Sequence, residues 1–143
     1  MNIYQISVFL ENRAGQLSEI TKLLADNGIN LRAISIAETS DYGVLRMIAD
    51  DAERASSILL EQGNIISMTP VSVVAVPDRP AGLSEVLSII AEAGIDIEYM
   101  YSLFTHADDK AYMVFRVDGE EKLSSAIKAH DMEMATKEEI GLK

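Results

Sequence analysis

This chain contains no cysteine and comparatively few basic residues. The absence of cysteine excludes disulfide scaffolds, thiolate metal sites and cysteine nucleophiles. Its 12 Lys and Arg residues are outnumbered by 23 Asp and Glu residues, which gives a formal net charge of −11. An acidic surface repels phosphate backbones and anionic lipids. We therefore expect neither nucleic acid nor a membrane surface as a partner.

Long apolar runs are also missing. No run approaches the roughly 20 apolar residues of a membrane-spanning helix, and the first residues lack the basic and apolar regions of a secretion signal. A cytoplasmic location is the expectation. Hydrophobic residues make up 48% of the chain and charged residues 24%, a balance typical of a globular protein with a core.

The chain contains an internal repeat. The segment NRAGQLSEI, which begins at Asn12, aligns with DRPAGLSEV, which begins at Asp78. Continued without a gap, the alignment matches LLADNGINL from Leu23 with IIAEAGIDI from Ile89. Repetition over the whole length predicts two similar modules. We place their domains at residues 1–69 and 70–143.

Each copy carries the same order of periodicities. Alternating residues predict a first strand, and apolar residues at three- and four-residue spacing predict a first helix that stops at a glycine. A hairpin, a second helix and a short last strand follow. In the first copy the predicted ranges are 3–10, 17–27, 30–37, 44–49, 52–62 and 65–68; in the second they are 71–76, 83–93, 96–104, 112–117, 120–129 and 132–135. The predicted fold class is α+β, with two ferredoxin-like βαββαβ modules in tandem and helices on one face of each antiparallel sheet. Because residues 71–76 are apolar on both sides, we also expect the second face of that strand to be covered.

Several functions occur on this fold, so the site must discriminate among them. An RNA-recognition module needs sheet aromatics, which residues 44–49 lack. A metal carrier of this fold needs paired cysteines. An acylphosphatase needs an arginine between the first strand and first helix; Arg13 and Arg79 are in that position, but without a glycine-rich loop around them.

The turn after the first strand and the start of the second strand resemble those of ACT domains. In the first copy these are the turn NRAGQL and the segment GINL at Gly28; in the second they are DRPAGL and GIDI at Gly94. They resemble the Asn-Arg-Pro-Gly-x-Leu turn and the Gly-(Ile/Val)-Asn-(Ile/Leu) strand start of the family. The whole chain is similar to stand-alone tandem ACT proteins of bacteria and archaea. This resemblance implies that the protein binds an amino acid or similar metabolite and signals to an enzyme.

The two copies differ at the positions that carry the resemblance. Ala14 replaces the usual proline in the first turn, and the glycine of the second turn is shifted by one position to Gly82. Asp78 and Asp96 replace both asparagines. We therefore expect two chemically unequal sites, with the better one in the first copy.

The expected ligand site surrounds the start of the first helix, whose free N–H groups suit a carboxylate. We expect Asn12 and Asn30 to lie at the same end of the sheet and to contact the ligand, as the matching asparagines do in the serine-binding ACT domains. Leu10 stands where those domains have a histidine, which favours a ligand with an apolar side chain. The candidate ligand-binding residues are Asn12, Arg13, Ala14, Gly15, Gln16, Leu17, Asn30, Asp78, Arg79, Ala81, Gly82, Leu83 and Asp96.

Structural roles compete with these assignments. Asn12 and Asp78 are also suited to cap the first helices, and the glycines after those helices to end them in a left-handed conformation. Arg13 and Arg79 are expected to pair with Glu19 and Glu85 or to be solvated. His106 and His130 have no partners spaced for a catalytic or metal site.

The expected function is ligand sensing that regulates a separate metabolic enzyme, without catalysis, cofactor or metal. The alternatives are a ligand-free protein-interaction module and an acylphosphatase-like enzyme. Family-like pairing of sheets through their second strands cannot be formed by the short link at residues 68–71, so we expect a homodimer or larger assembly.

Overall fold

A computed structural model describes residues 3–11, 13–38, 41–107 and 109–143, with the side chain of His106 outside the description. The chain divides between Thr69 and Pro70 into two compact units. We call residues 4–69 the first module; it also includes Gly141–Lys143. Residues 70–140 form the second module, which includes Ile3.

The first module has the βαββαβ order. Its elements are β1 (Ile3–Glu11), α1 (Gln16–Asp26), β2 (Leu31–Glu38), β3 (Tyr42–Ala49), α2 (Ala52–Glu61) and the start of β4 (Ile66–Pro77). The strand order is β2-β3-β1-β4, and β3 is antiparallel to both of its neighbours. Apolar residues of α1 and α2 face the sheet because they recur at helical spacing. Ile20, Leu24 and Leu59 are buried there against Leu45 and Met47 of β3.

The second module repeats this arrangement. After the remainder of β4 come α3 (Gly82–Glu92), β5 (Ile97–Ala107), β6 (Lys110–Val117), α4 (Glu120–Ala129) and β7 (Glu133–Met134). The strand order is β7-β4-β6-β5, with antiparallel pairs throughout. Val86 and Ile90 of α3 and Leu123 and Ile127 of α4 are buried against Phe115 of β6.

The predicted fold class is confirmed, with one difference at the middle of the chain. The last strand predicted for the first copy and the first strand predicted for the second are one continuous strand, β4. Proline is compatible with extended backbone where its missing N–H is not needed, and the carbonyl of Pro70 accepts a hydrogen bond from Arg116 Nη1 at 3.1 Å. Within the described residues, no helix is both long enough and apolar enough to cross a membrane.

The sheet of the second module is apolar on both faces. Val74 and Phe115 belong to the helix-side core, whereas Val73 and Val114 alternate with them and are also buried. On this second face the Tyr112 hydroxyl donates a hydrogen bond to Glu139 Oε2 at 3.2 Å. The segment after β7 therefore packs against this part of the sheet.

Candidate functional site

The turn between β1 and α1 exposes the positive end of a helix. Gly15 is the N-cap residue of α1, with a left-handed φ of 86°. Its carbonyl accepts a hydrogen bond from the Glu19 N–H at 3.0 Å. Among the described residues, the N–H groups of Leu17 and Ser18 have no acceptor. Unpaired N–H groups and the helix dipole together suit an anionic group.

A cavity of about 410 Å³ lies beside this turn, where β1 and β2 end and β3 begins. We call it the strand-end cavity. Leu10, Leu17 and Ile36 contribute apolar surface, and Glu11 and Glu38 contribute carboxylates. Arg13 also lines the cavity, and its Nε lies 4.0 Å from Glu11 Oε2. The cavity thus combines the start of α1, charged groups of both signs and apolar surface.

Gln16 is the first residue of α1 and lines both this cavity and a second hollow that also contains Gln62 and Asn64. Its Oε1 atom is buried and has no hydrogen-bond partner in the described part of the chain. A buried polar atom is nearly always paired in a folded protein. The first residue of α1 therefore carries a buried acceptor that the described part of the chain leaves unsatisfied.

The two arginines of the turns are held by ion pairs, as predicted. Arg13 donates two hydrogen bonds to Glu19, at 3.2 and 2.9 Å, and Arg79 donates two to Glu85, at 3.2 and 2.7 Å. The hydrogen bond and the charge of Arg13 lower the pKa of Glu19. Each guanidinium is thus neutralised by a carboxylate of the first helical turn.

The corresponding turn in the second module has different chemistry. Ala81 takes the left-handed position with φ 70°, and Gly82 follows it. A Cβ on Gly82 would overlap the carbonyl oxygen of Pro77, so only glycine fits there. The interpretation of Asp78 as the helix cap is wrong, because α3 has Ala81 at its N-cap and no side-chain cap. The Asp78 N–H instead donates to the Asp109 carbonyl at 2.9 Å.

The charges near the two turns also differ. In the first module Glu11 is paired across the sheet with Tyr42. Pro77 and Lys110 occupy the equivalent pair in the second module, and Lys110 forms an ion pair with Glu133 at 2.6 Å. The counterpart of Glu11 in the second module is therefore Pro77, and the counterpart of Tyr42 is Lys110.

Asn30 does not lie beside the turn, contrary to expectation. The register pairs Leu31 with Ala49 at one end of β2 and Glu38 with Gly43 at the other, roughly 23 Å apart. The Asn30 N–H donates to Asp50 Oδ1 at 3.1 Å, at the end opposite the turn. Asp96 is likewise separated from its turn, since the next residue, Ile97, pairs with Val117. The cause is α1, which crosses the length of the sheet and returns the chain to the end where β1 began.

The remaining candidate residues lie at the two turns, apart from one that the structure does not describe. Asn12 lies outside the described residues. Ala14, Gly15, Gln16 and Leu17 are together at the first turn, as Ala81, Gly82 and Leu83 are at the second. Gly28 and Gly94 have φ values of 73° and 70°, which confirms their left-handed helix-terminal role.

Sequence reasoning missed the residues that β2 and β3 bring to the cavity. Ile36, Glu38 and Tyr42 lie far from the turn in sequence and reach it only through strand pairing. The βαββαβ order contained the necessary signal, because it places β1 and β2 on either side of β3 with their ends at the same end of the sheet. Among the described residues, no three His, Asp or Glu side chains are grouped to hold a metal ion.

Comparisons with known proteins agree with this architecture. A family model for ACT domain pairs matches residues 1–142. A solved protein from Bacteroides thetaiotaomicron is 33% identical, with a TM-score of 0.90 over 99% of this chain and 96% of that one. The search of curated proteins gives no match.

Two more distant structures share the fold. The ligand-free regulatory subunit of aspartate kinase from Thermus thermophilus is 16% identical, with a TM-score of 0.67 over 90% of this chain and 93% of that one. The regulatory subunit of aspartate kinase from Thermus flavus is 18% identical, with a TM-score of 0.60 over 90% and 92%. Because the family model spans both βαββαβ modules and their matching turns, this chain belongs to the family of ACT domain pairs.

Proposed function

We propose that this protein is a regulatory sensor that binds an α-amino acid in the strand-end cavity of its first module and modulates a separate metabolic enzyme. The observation that carries the proposal is the composition of that cavity. It places Leu17, whose N–H has no acceptor among the described residues, together with two carboxylates and apolar side chains around one space of about 410 Å³. These are the complements of the three parts of an amino acid.

The ligand would be bound by its charges at one end and its side chain at the other. Its carboxylate meets the N–H of Leu17 at the positive end of α1. Its ammonium group meets the carboxylates of Glu11 and Glu38. Leu10 and Ile36 favour an apolar side chain. This arrangement requires no metal or cofactor.

Regulation of a separate enzyme is supported by the fold and by the state of the arginines. The aspartate kinase proteins that share the fold are regulatory subunits. An acylphosphatase would need a free cation for its phosphate, but Arg13 and Arg79 are each paired with a carboxylate. We therefore propose binding without catalysis.

Asn30 and Asp96 are not part of the proposed site of their own modules, because the strand registers separate them from the turns. We also propose that the protein forms a homodimer or larger assembly. The exposed Phe104 on β5, a strand at the edge of its sheet, supports this.

A thermal-shift screen against the twenty L-amino acids tests the proposal. A ligand that binds only the folded protein stabilises it by about 2.7 kcal/mol at a concentration 100 times its Kd. We expect selective stabilisation by amino acids with apolar side chains, and a weaker effect in Glu11→Gln. The control is Glu61→Gln, which changes an exposed carboxylate on α2. If no amino acid stabilises the parent protein, the sensor proposal is wrong and a ligand-free interaction module becomes the better account.

A further inference from the structure

The second module contains a cavity of its own, far in sequence from its turn at Gly82. Its volume is about 530 Å³, and it is lined by residues of β4, α4, β7 and the residue after β7. We call it the α4 cavity. Val71 and Met134 contribute apolar surface. Five polar residues also line it, namely Ser72, Glu120, Glu121, Ser124 and Lys128.

Ser72 is the most deeply buried of these polar residues, with 7% of its surface exposed. Its side chain is on the helix side of β4, because it lies two residues before Val74 of the helix-side core. The hydroxyl is therefore directed towards α4 and the cavity. It has no hydrogen-bond partner among the residues that the structure describes. Since buried polar groups are nearly always paired, this hydroxyl points to a partner from outside the chain.

The first module shows that the fold does not require polar residues here. Three positions that are apolar in the first module are polar in the second and line the α4 cavity: Ile6 and Ser72, Ala52 and Glu120, and Leu60 and Lys128. The adjacent core position stays apolar in both modules, as Leu59 and Ile127. Polar replacements that converge on one cavity are typical of a binding site rather than of packing.

The charges of the cavity are spread along α4. Glu121, Ser124 and Lys128 are three and four residues apart, so they share one face of the helix. Glu121 and Lys128 are separated by about 10 Å along the helix axis, and within the described part of the chain neither forms an ion pair. Glu120 Oε1 is buried 3.8 Å from Arg116 Nη1. Glu121 is therefore the carboxylate that is free to meet a ligand.

We infer that the α4 cavity binds an elongated zwitterion, a small molecule whose ammonium and carboxylate groups are separated by an apolar chain, as in ω-amino acids and dipeptides. The ammonium meets Glu121 and the carboxylate meets Lys128. The hydroxyls of Ser72 and Ser124 donate or accept further hydrogen bonds. An α-amino acid does not fit this pattern, because both of its charges are next to one carbon atom. This site is separate from the one proposed in the first module and does not depend on it.

Two isomers test the inference, ε-aminohexanoate and α-aminohexanoate. They contain the same atoms and differ only in the position of the amine. Backbone amide NMR of the isotope-labelled protein observes each cavity separately. We expect ε-aminohexanoate to cause saturable shifts at Ser72, Glu121 and Ser124, and α-aminohexanoate to leave these signals unchanged. Hexylamine and hexanoate, which each carry one of the two charges, should bind about tenfold more weakly or less.

Two variants restore residues of the first module. Lys128→Leu should lower the affinity for ε-aminohexanoate about tenfold to a hundredfold, the usual effect of losing a hydrogen bond to a charged group. Ser72→Ile should also weaken binding, without lowering the unfolding temperature, because an unpaired hydroxyl is replaced by an apolar side chain. The control is Lys122→Leu, which makes the same substitution on α4 outside the cavity and should bind as the parent does.

The absence of saturable shifts with millimolar ε-aminohexanoate would overturn the site. Equal shifts with both isomers at Ser72 and Glu121 would overturn the separation of charges, and equal losses of affinity in Lys122→Leu and Lys128→Leu would assign the effect to net charge. Lys128 is exposed, so Lys128→Leu tests the site even if Ser72→Ile is unstable. Shifts at Leu17 with α-aminohexanoate report the first module alone, so either site can fail without the other.

Discussion

Gly15 and Gly82 occupy neighbouring positions of the same repeated turn but meet different requirements. Gly15 has a φ of 86°, and a Cβ there would have no atom within 4 Å, so its role is conformational. Gly82 has an ordinary φ but no room for a Cβ beside the Pro77 carbonyl. In the second module Ala81 takes the left-handed conformation instead.

These roles predict unequal losses on substitution by alanine. Gly15→Ala should lower the free energy of unfolding by about 1 to 2 kcal/mol, the cost of a left-handed alanine. Gly82→Ala should cost about 3 kcal/mol, at the upper end for overpacking, because the clash is with backbone. Urea denaturation of both variants measures the difference. Equal losses of unfolding free energy would mean that the backbone at Pro77 shifts to accommodate the added Cβ at little cost.

Sequence reasoning succeeded for individual residues whose partners are local. The Arg13–Glu19 and Arg79–Glu85 pairs were one of the two outcomes expected for these arginines, because the partners of each pair are only six residues apart in the sequence. The unpaired oxygen of Gln16 had no sequence signal, since burial depends on what the rest of the module places around the side chain.

At the scale of elements, β6 is tied to the segment after β7 through one hydrogen bond. Burial and the hydrogen bond to Glu139 raise the pKa of Tyr112 above its ordinary value of 10.0. Burial alone would raise the pKa of Glu139, but hydrogen bonds from the Thr136 N–H and the Tyr112 hydroxyl lower it. The pair is therefore stable with a protonated tyrosine and an ionised glutamate.

Tyr112→Phe should lower the free energy of unfolding by about 1 kcal/mol near neutral pH, where this hydrogen bond is intact. In the parent the folded state holds the tyrosine proton more tightly than the unfolded state. The stabilisation from Tyr112 is therefore complete below pH 10 and is lost as the pH rises through the raised pKa. Urea denaturation from about pH 8 to about pH 11 should show a smaller alkaline loss in the variant. If both proteins lose the same unfolding free energy at alkaline pH, the loss must come from groups other than Tyr112.

The elements themselves were largely predictable, whereas their connections and registers were not. The range of α4 was predicted to the residue, and α2 differs only at its last residue. By contrast, Asn30 was predicted at the wrong end of the sheet. The periodicity of α1 predicts a helix but does not indicate at which end of the sheet the following strand begins. The strands predicted at residues 65–68 and 71–76 also proved to be parts of one continuous strand that runs through Pro70.

At the scale of the whole molecule, β5 is the feature that favours self-association. It has 11 residues, and among the described strands it pairs only with β6. Its Phe104 is 61% exposed. A long apolar edge strand is a template for pairing with another chain, and charged side chains on such an edge oppose pairing.

Phe104→Lys should therefore shift a dimer toward the monomer in multi-angle light scattering. Leu60→Lys provides the control, because Leu60 is 56% exposed on α2, away from the sheet edge. A parent that is monomeric at both low and high concentration would contradict the predicted assembly. Dissociation of both variants alike would indicate a general effect of added charge.

The central claim is that one amino acid binds in the strand-end cavity of the first module. The most direct measurement is a titration of the isotope-labelled protein, followed by backbone amide NMR, with the amino acid that stabilises it most in the thermal screen. We predict saturable shifts of the amide signals of Gly15, Gln16, Leu17 and Gly43, whose residues line that cavity, with no comparable change at Gly82 and Leu83. Shifts centred on the turn of the second module, or no saturable shift at all, would contradict the account.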